Sequence, residues 1–201
     1  MARSPSFCGV ILAAGESLRM GRDKALLPWQ GSTFLAGAID LLAPQTEMVI
    51  VVAGKNAPQL EPLVYAASAY LLVNREPEHG QFSSLRLGLQ EVLNHGRDAA
   101  IVALVDRPPA NPVTVARLKE RFLERAAEDI WAVIPRHGER NGHPLVVGRE
   151  MINAFLSAPP KATARDVEHA HPRHIEYVTV DDPLVVCNVD TPEDYQRITS
   201  G

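Results

Sequence analysis

The stretch Leu12-Ala13-Ala14-Gly15-Glu16-Ser17-Leu18-Arg19-Met20-Gly21-Arg22-Asp23-Lys24 carries the chain's first residues equipped for chemistry. It directly follows the apolar run Cys8–Ala13. Small residues at Ala13, Ala14 and Gly15 let a ligand come close to the backbone. Exposed N–H groups in such a turn can cradle phosphate oxygens. Arg19, Arg22 and Lys24 add positive charge, the arginines as planar forks and the lysine as a mobile point charge. Two commoner phosphate motifs do not fit. A dinucleotide fingerprint needs G-x-G-x-x-G, and no glycine lies between Gly15 and Gly21. A P-loop needs Lys and then Ser or Thr right after its second glycine, whereas here Arg22 and Asp23 intervene and Ala25 follows Lys24. A plain polar surface loop is the alternative. Two glycines and three cations on one post-strand loop argue against it.

Acidic residues follow two later apolar runs. Asp106 ends Ile101–Val105, and Pro108 and Pro109 then turn the chain. Triphosphate chemistry commonly uses a divalent metal, so a carboxylate there is placed to hold Mg²⁺ or Mn²⁺. The bland alternative is an Asp in a turn. Asn188-Val189-Asp190 follows Val185–Cys187, and strand alternation would put Asn188 and Asp190 on one side. The alternative for Asp190 is capping of the helix that starts at Thr191.

Gly80-Gln81-Phe82-Ser83-Ser84-Leu85 sits between a strand and a helix. Ser83 and Ser84 either cap that helix or help read a base edge, and Arg86 reads as a surface residue. His143, before Pro144, is pushed towards extended geometry. The remaining histidines show no metal-binding spacing, and His169, His171 and His174 read as a solvated loop.

The elements that must position these residues alternate. Apolar bursts fall at Cys8–Ala13, Met48–Ala53, Tyr70–Val73, Ala99–Val105, Trp131–Pro135, His143–Val147, Ile175–Val180 and Val185–Val189. Near-continuous Val, Ile, Leu and Ala suit strands covered on both faces. Helical spacing begins after Ser32, at Ser83 or Ser84, after Asn111-Pro112 and after Thr191-Pro192. The pattern predicts an α/β, Rossmann-like three-layer sandwich with a mostly parallel mixed sheet, and a single domain over residues 1–201. Ligands of such sheets bind beyond the carboxyl ends of the strands, which is where the candidate residues lie.

Bulk properties set limits. With 46% apolar residues, 22% charged residues and a net charge of −4 across 201 residues, the chain resembles an ordinary globular protein. Nothing in that charge favours nucleic acid or an anionic membrane. Cys8 and Cys187 are expected to be buried, reduced thiols. The polar start lacks a signal core, and no run approaches the roughly 18 apolar residues of a membrane helix. A cytoplasmic protein is the default expectation.

The loop from Leu12 to Lys24, continued by Leu26, Leu27 and Pro28, resembles the signature of the MobA-like nucleotidyltransferases, roughly L-A-[AG]-G-x-S-x-R-M-G-x-x-K-x-L-L. Later segments are similar to the family's in the same order. They are Leu104-x-Asp106-x-Pro108, the Ser83-Ser84-Leu85 loop, Gly142-His143-Pro144, Ala164-Arg165-Asp166 and Asn188-Val189-Asp190-Thr191-Pro192-Glu193-Asp194. The resemblance implies the nucleotide-diphospho-sugar transferase type of fold. It implies that Leu12, Ala13, Ala14, Gly15, Arg19, Lys24, Gln81, Ser83 and Ser84 bind the nucleotide. Arg19, Lys24 and Asp106 would be catalytic, with Asp106, Asp190 and Asn188 holding the metal and His143 and Arg165 at the acceptor. Ala14 and the Ser83-Ser84 pair resemble the cytidylyl branch, which implies CTP and a molybdopterin-type acceptor. Asn188 resembles the guanylyl branch. A molybdoenzyme or its chaperone would be a partner.

Alternatives are GTP or another phosphorylated acceptor, and a nucleotide- or cofactor-binding protein without catalysis. An NAD oxidoreductase lacks its glycine fingerprint here.

Overall fold

The computed structural model describes residues 5–200. The chain opens with β1 (Phe7–Ala13), a short hairpin of β2 (Pro28–Trp29) and β3 (Ser32–Thr33), then α1 (Phe34–Leu42). There follow β4 (Met48–Ala53), α2 (Ala57–Ala66), β5 (Tyr70–Val73), α3 (Gln81–Asn94), β6 (Ala99–Leu104) and α4 (Pro112–Arg125). The second half contains β7 (Ala132–His137), β8 (Arg140–Asn141), β9 (Leu145–Gly148), α5 (Arg149–Ser157), α6 (Ala164–Ala170), β10 (Ile175–Thr179) and α7 (Pro192–Thr199).

The main sheet runs β10-β7-β9-β6-β1-β4-β5, with β8 paired to β7. Only parallel pairing joins β1 to β4 and β6, β4 to β5, and β7 to β10, whereas β9 runs antiparallel to β6 and β7. The expected mostly parallel mixed sheet is therefore present.

Both faces are covered. Along β1, Phe7, Ile11 and Ala13 join one core, and Cys8, Val10 and Leu12 join the other. Phe34 and Leu35 of α1, Leu60 of α2 and Val115 of α4 belong to the first core. Leu89 of α3, Ile152 of α5 and Val167 of α6 belong to the second. This period-2 partition gives three layers. Each fully buried Leu or Ile stabilises by about 1.5–3 kcal/mol over an exposed one. No helix among the described residues is long and apolar enough to cross a membrane. Cys8 and Cys187 are free thiols, the first buried and the second half-buried.

Several boundaries differ from expectation. The run Val185–Val189 is not a strand: Pro183–Val186 forms a 3₁₀ turn and the next residues are irregular. Pro183 cannot donate to a ladder, and Asp182 caps the turn by accepting from the Leu184 N–H. Thr33, not Ser32, caps α1, accepting from the Ala36 N–H at 3.1 Å. Helix α3 starts at Gln81, ahead of Ser83, because Gly80 turns the chain with φ 86°. The unanticipated α2 contains Pro62, which removes an interior N–H donor. Burial of Ala57, Leu60 and Val64 outweighs that defect.

Register sets up the site. Leu12 pairs with Leu104, so β1 and β6 end side by side. The loop after β1 and the turn carrying Asp106 therefore emerge at one sheet edge.

Candidate active site

The loop after β1 is built from local polar closures. Ser17 and Gly21, with φ of 51° and 71°, bracket a 3₁₀ turn over Leu18–Met20. A second turn spans Lys24–Leu26, where Asp23 Oδ1 accepts from the Ala25 N–H at 2.9 Å. The Lys24 N–H donates to Ser17 Oγ at 3.1 Å, drawing the two turns together. Met20, Ala25 and Leu27 anchor them in the core.

A residue that sequence reasoning missed fixes the loop to the sheet. Asn56 Nδ2 donates to the Ala13 carbonyl at 2.9 Å and to Asp23 Oδ2 at 2.6 Å, and its Oδ1 accepts from the Gly54 N–H at 3.0 Å. Gly54 is a close-approach glycine: a Cβ there would lie 2.8 Å from the Ala14 carbonyl oxygen. Both residues follow β4 directly, so the rule that brought Asp106 to attention would have found them.

Two of the cations meet one carboxylate from the distant C-terminal segment. Lys24 Nζ lies 2.6 Å and Arg19 Nη2 3.3 Å from Asp190 Oδ1. Lys24 is 9% exposed. The hydrogen bond from its ammonium holds the Asp190 carboxyl below the usual carboxylate range. Asp190 does not cap α7. A capping box of Thr191 and Asp194 does that, and Asp194 also accepts from the Asp190 N–H at 3.1 Å.

The Val189 N–H donates to the Asp106 carbonyl at 2.8 Å, which joins the two acidic segments. Asp106 Oδ1 is buried without a hydrogen-bond partner. Burial raises the Asp106 carboxyl above its ordinary value, opposed by the charges of Lys24 and Arg107. An unpaired buried oxygen is costly. Together with Asp190, it offers hard oxygen ligands of the kind a divalent cation takes. Among the described residues no group of three or more His, Cys, Asp or Glu gathers, so ligand oxygens or water would complete such a cation's shell. The Asn188 side chain is exposed and enters none of the hydrogen bonds of the described residues. The alternation argument that paired it with Asp190 lapses, because the segment is not a strand.

Two adjoining cavities share Leu12, near the end of β1, with Gly80 and Gln81. A slot of about 100 Å³ is lined by Leu12, Ala14, Gly15, Gly80, Gln81 and Ser84. Ser83 and Ser84 are oriented by Asn74, a second missed residue, whose Nδ2 donates to both hydroxyls at 2.9 Å. Ser83 Oγ also donates to the Gly80 carbonyl at 2.8 Å, so its hydroxyl serves the helix start. Arg86 is not a free surface residue: its guanidinium lies over the Phe82 ring and donates to the Leu156 carbonyl at 2.8 Å.

The second cavity, about 520 Å³, contains His143 and Arg165 together with Phe82, Phe155 and Glu168. His143 is held by its N–H to the Val185 carbonyl at 2.9 Å. Its Nδ1 is buried and unpartnered, and burial lowers the imidazole to about 3, aided by the nearby Arg107 charge. A neutral imidazole therefore faces this cavity. His171 and His174, by contrast, pack on Trp131, the latter with rings 3.8 Å apart, and are not a solvated loop.

An open, mostly parallel sheet with a cationic glycine-bearing loop set against two carboxylates at its carboxyl edge defines a nucleotidyltransferase of the nucleotide-diphospho-sugar transferase fold. Residues 9–175 match the profile of the MobA-like NTP transferase domain, and the chain belongs to that family. Among characterised relatives, it is 30% identical over 199 residues to the nicotine blue oxidoreductase of Paenarthrobacter nicotinovorans, covering 96% of this chain and 97% of that one. It is 30% identical over 198 residues to the molybdenum cofactor guanylyltransferase of Rhodobacter capsulatus, covering 94% and 93%. Among solved structures, the Rv0371c protein of Mycobacterium tuberculosis is 25% identical with a TM-score of 0.79, covering 98% of this chain and 99% of that one.

Proposed function

We propose that this protein transfers a nucleoside monophosphate, CMP from CTP, to a phosphorylated acceptor of the molybdopterin type and releases pyrophosphate. The observation that carries this reading is the pairing of Lys24 and Arg19 with Asp190, in a segment hydrogen-bonded through Val189 to Asp106, at the sheet edge where β1 ends. The triphosphate lies along the loop after β1, its oxygens meeting loop N–H groups, Arg19 and Lys24. The base enters the slot beside Ala14, Gln81 and Ser84. The acceptor occupies the cavity with His143 and Arg165.

An acceptor oxyanion attacks the α-phosphate, and the P–O bond to pyrophosphate breaks. Lys24 and Arg19 stabilise the charge that develops, and fixed positioning does the rest. Asp106 and Asp190 would hold Mg²⁺ or Mn²⁺, with Asn188, two residues before Asp190, as a further candidate ligand. That ion would neutralise triphosphate charge. The unpartnered Asp106 oxygen supports this fit.

GTP is a second reading, favoured by the relatives named guanylyltransferases and by Asn188. A redox reading draws on the name of one relative, and the loop lacks a dinucleotide fingerprint. Pyrophosphate release measured with each of the four NTPs, with and without molybdenum cofactor, separates these. Release with CTP and cofactor alone is expected. Release with GTP alone reassigns the base. No release with any NTP overturns the transferase reading.

A further inference from the structure

Glu168 is the one carboxylate among the residues lining the larger cavity, and it is half-buried. Among the described residues it has neither a hydrogen bond nor a salt bridge. Arg165 precedes it by one turn of α6, yet no contact between them is short enough to be an ion pair. Burial pushes the Glu168 carboxyl above its ordinary range. A carboxylate kept partly out of water without donors is costly, and buried polar groups ordinarily have partners. The protein leaves both Glu168 oxygens unpaired in the cavity, where water or a ligand donor can meet them.

The surroundings define that ligand. Phe82 and Phe155 pack edge to face, with centroids 6.0 Å apart, and form an apolar wall suited to a planar ring. Arg86 fixes Phe82 from outside the cavity. Leu12 and Leu104 also line the cavity, and they immediately precede the phosphate loop and the Val105–Asp106 turn. The cavity thus lies beside the carboxyl ends of β1 and β6.

We propose that Glu168 is the specificity-determining group of this cavity, accepting paired hydrogen bonds from the ring N–H and amino group of a 2-amino-4-oxopyrimidine edge. Carboxylates take such paired donors with both oxygens. The inference rests on the reading of this cavity as the acceptor site, where that edge belongs to the acceptor's pterin ring. Guanine carries the same edge. It would have to leave the slot beside Ala14 and Ser84, which adjoins the cavity at Leu12, Gly80 and Gln81, to reach Glu168.

The test is direct binding of free pterin and of lumazine, which has a carbonyl in place of the amino group, read by ligand fluorescence. GTP and ITP form a parallel pair, read by calorimetry. The wild-type chain should bind pterin about 10–100-fold tighter than lumazine, the scale of hydrogen bonds to a charged group. Glu168→Gln should erase that preference, with an unfolding temperature equal to or above that of wild type and any GTP-to-ITP preference unchanged. Loss of the GTP preference instead would overturn the assignment to the acceptor and move the edge to the nucleotide. Equal wild-type binding of pterin and lumazine, or a preference that survives Glu168→Gln, overturns the proposal. Pyrophosphate release distinguishes the two readings. Cofactor-dependent release with an unchanged acceptor KM in Glu168→Gln sinks this inference and leaves the transferase reading intact. Glu168-dependent pterin binding without any release does the reverse.

Discussion

Lys24 and Asp190, 166 residues apart in the chain, meet with Nζ 2.6 Å from Oδ1. The ammonium is almost enclosed and the carboxylate half-exposed. The pair closes the phosphate loop onto the C-terminal segment, and Arg19 reaches the same oxygen. A triphosphate entering the loop would compete with Asp190 for both cations. Asp190 would then be free to take a metal ion.

Lys24→Ala is expected to lower turnover by about 10²–10³, the usual scale for one preorganised charge-stabilising group. Steady-state pyrophosphate release measures this. An unchanged kcat removes Lys24 from the chemistry.

Asp106→Asn separates function from stability. The carboxylate has an unpartnered buried oxygen and a carboxyl raised by burial. Neutralising it relieves desolvation, so Tm should equal or exceed that of wild type. Activity and its dependence on added Mg²⁺ should be lost together. A variant that keeps metal-stimulated turnover contradicts the proposed ligand role.

Gly54→Ala should disturb the loop at Ala14 without altering any charged group of the site. The new Cβ would press on the Ala14 carbonyl at 2.8 Å, with Pro77 Cβ at 3.3 Å as its next contact, which leaves little room to yield. Overpacking of this kind costs about 1–3 kcal/mol. Urea unfolding and the KM for the nucleotide should both shift. A shift in neither would show that the loop accommodates the methyl group.

His143 makes stability depend on pH in one direction. Its folded pKa is about 3 against an ordinary 6.5. Between these values the unfolded chain binds a proton that the folded chain refuses. Stability therefore falls as pH drops through that window, by about 2 kcal/mol at about pH 5. His143→Gln should remove this part of the dependence, as read by urea unfolding at neutral and mildly acidic pH. Parallel profiles for the two proteins would refute it.

Much of this protein was legible in its residues alone. Continuous apolar bursts separated by amphipathic stretches dictate strands buried on both faces, since period and burial are local properties of sequence. The loop from Leu12 to Lys24 stood out through its small residues and cations, and Asp106 through its place after an apolar run, and both lie at the same sheet edge. Val185–Val189 misled because its composition is strand-like, whereas Pro183 and the Asp182 cap turn it into a 3₁₀ helix. That Lys24 faces Asp190, that Asn56 clamps the loop, that Asn74 orients Ser83 and Ser84, and that Glu168 shares a cavity with His143 are matters of tertiary structure. Such contacts join residues from 9 to 166 positions apart. Their existence depends on the order of strands in the sheet and on which loop ends share its carboxyl edge, and no local pattern encodes that.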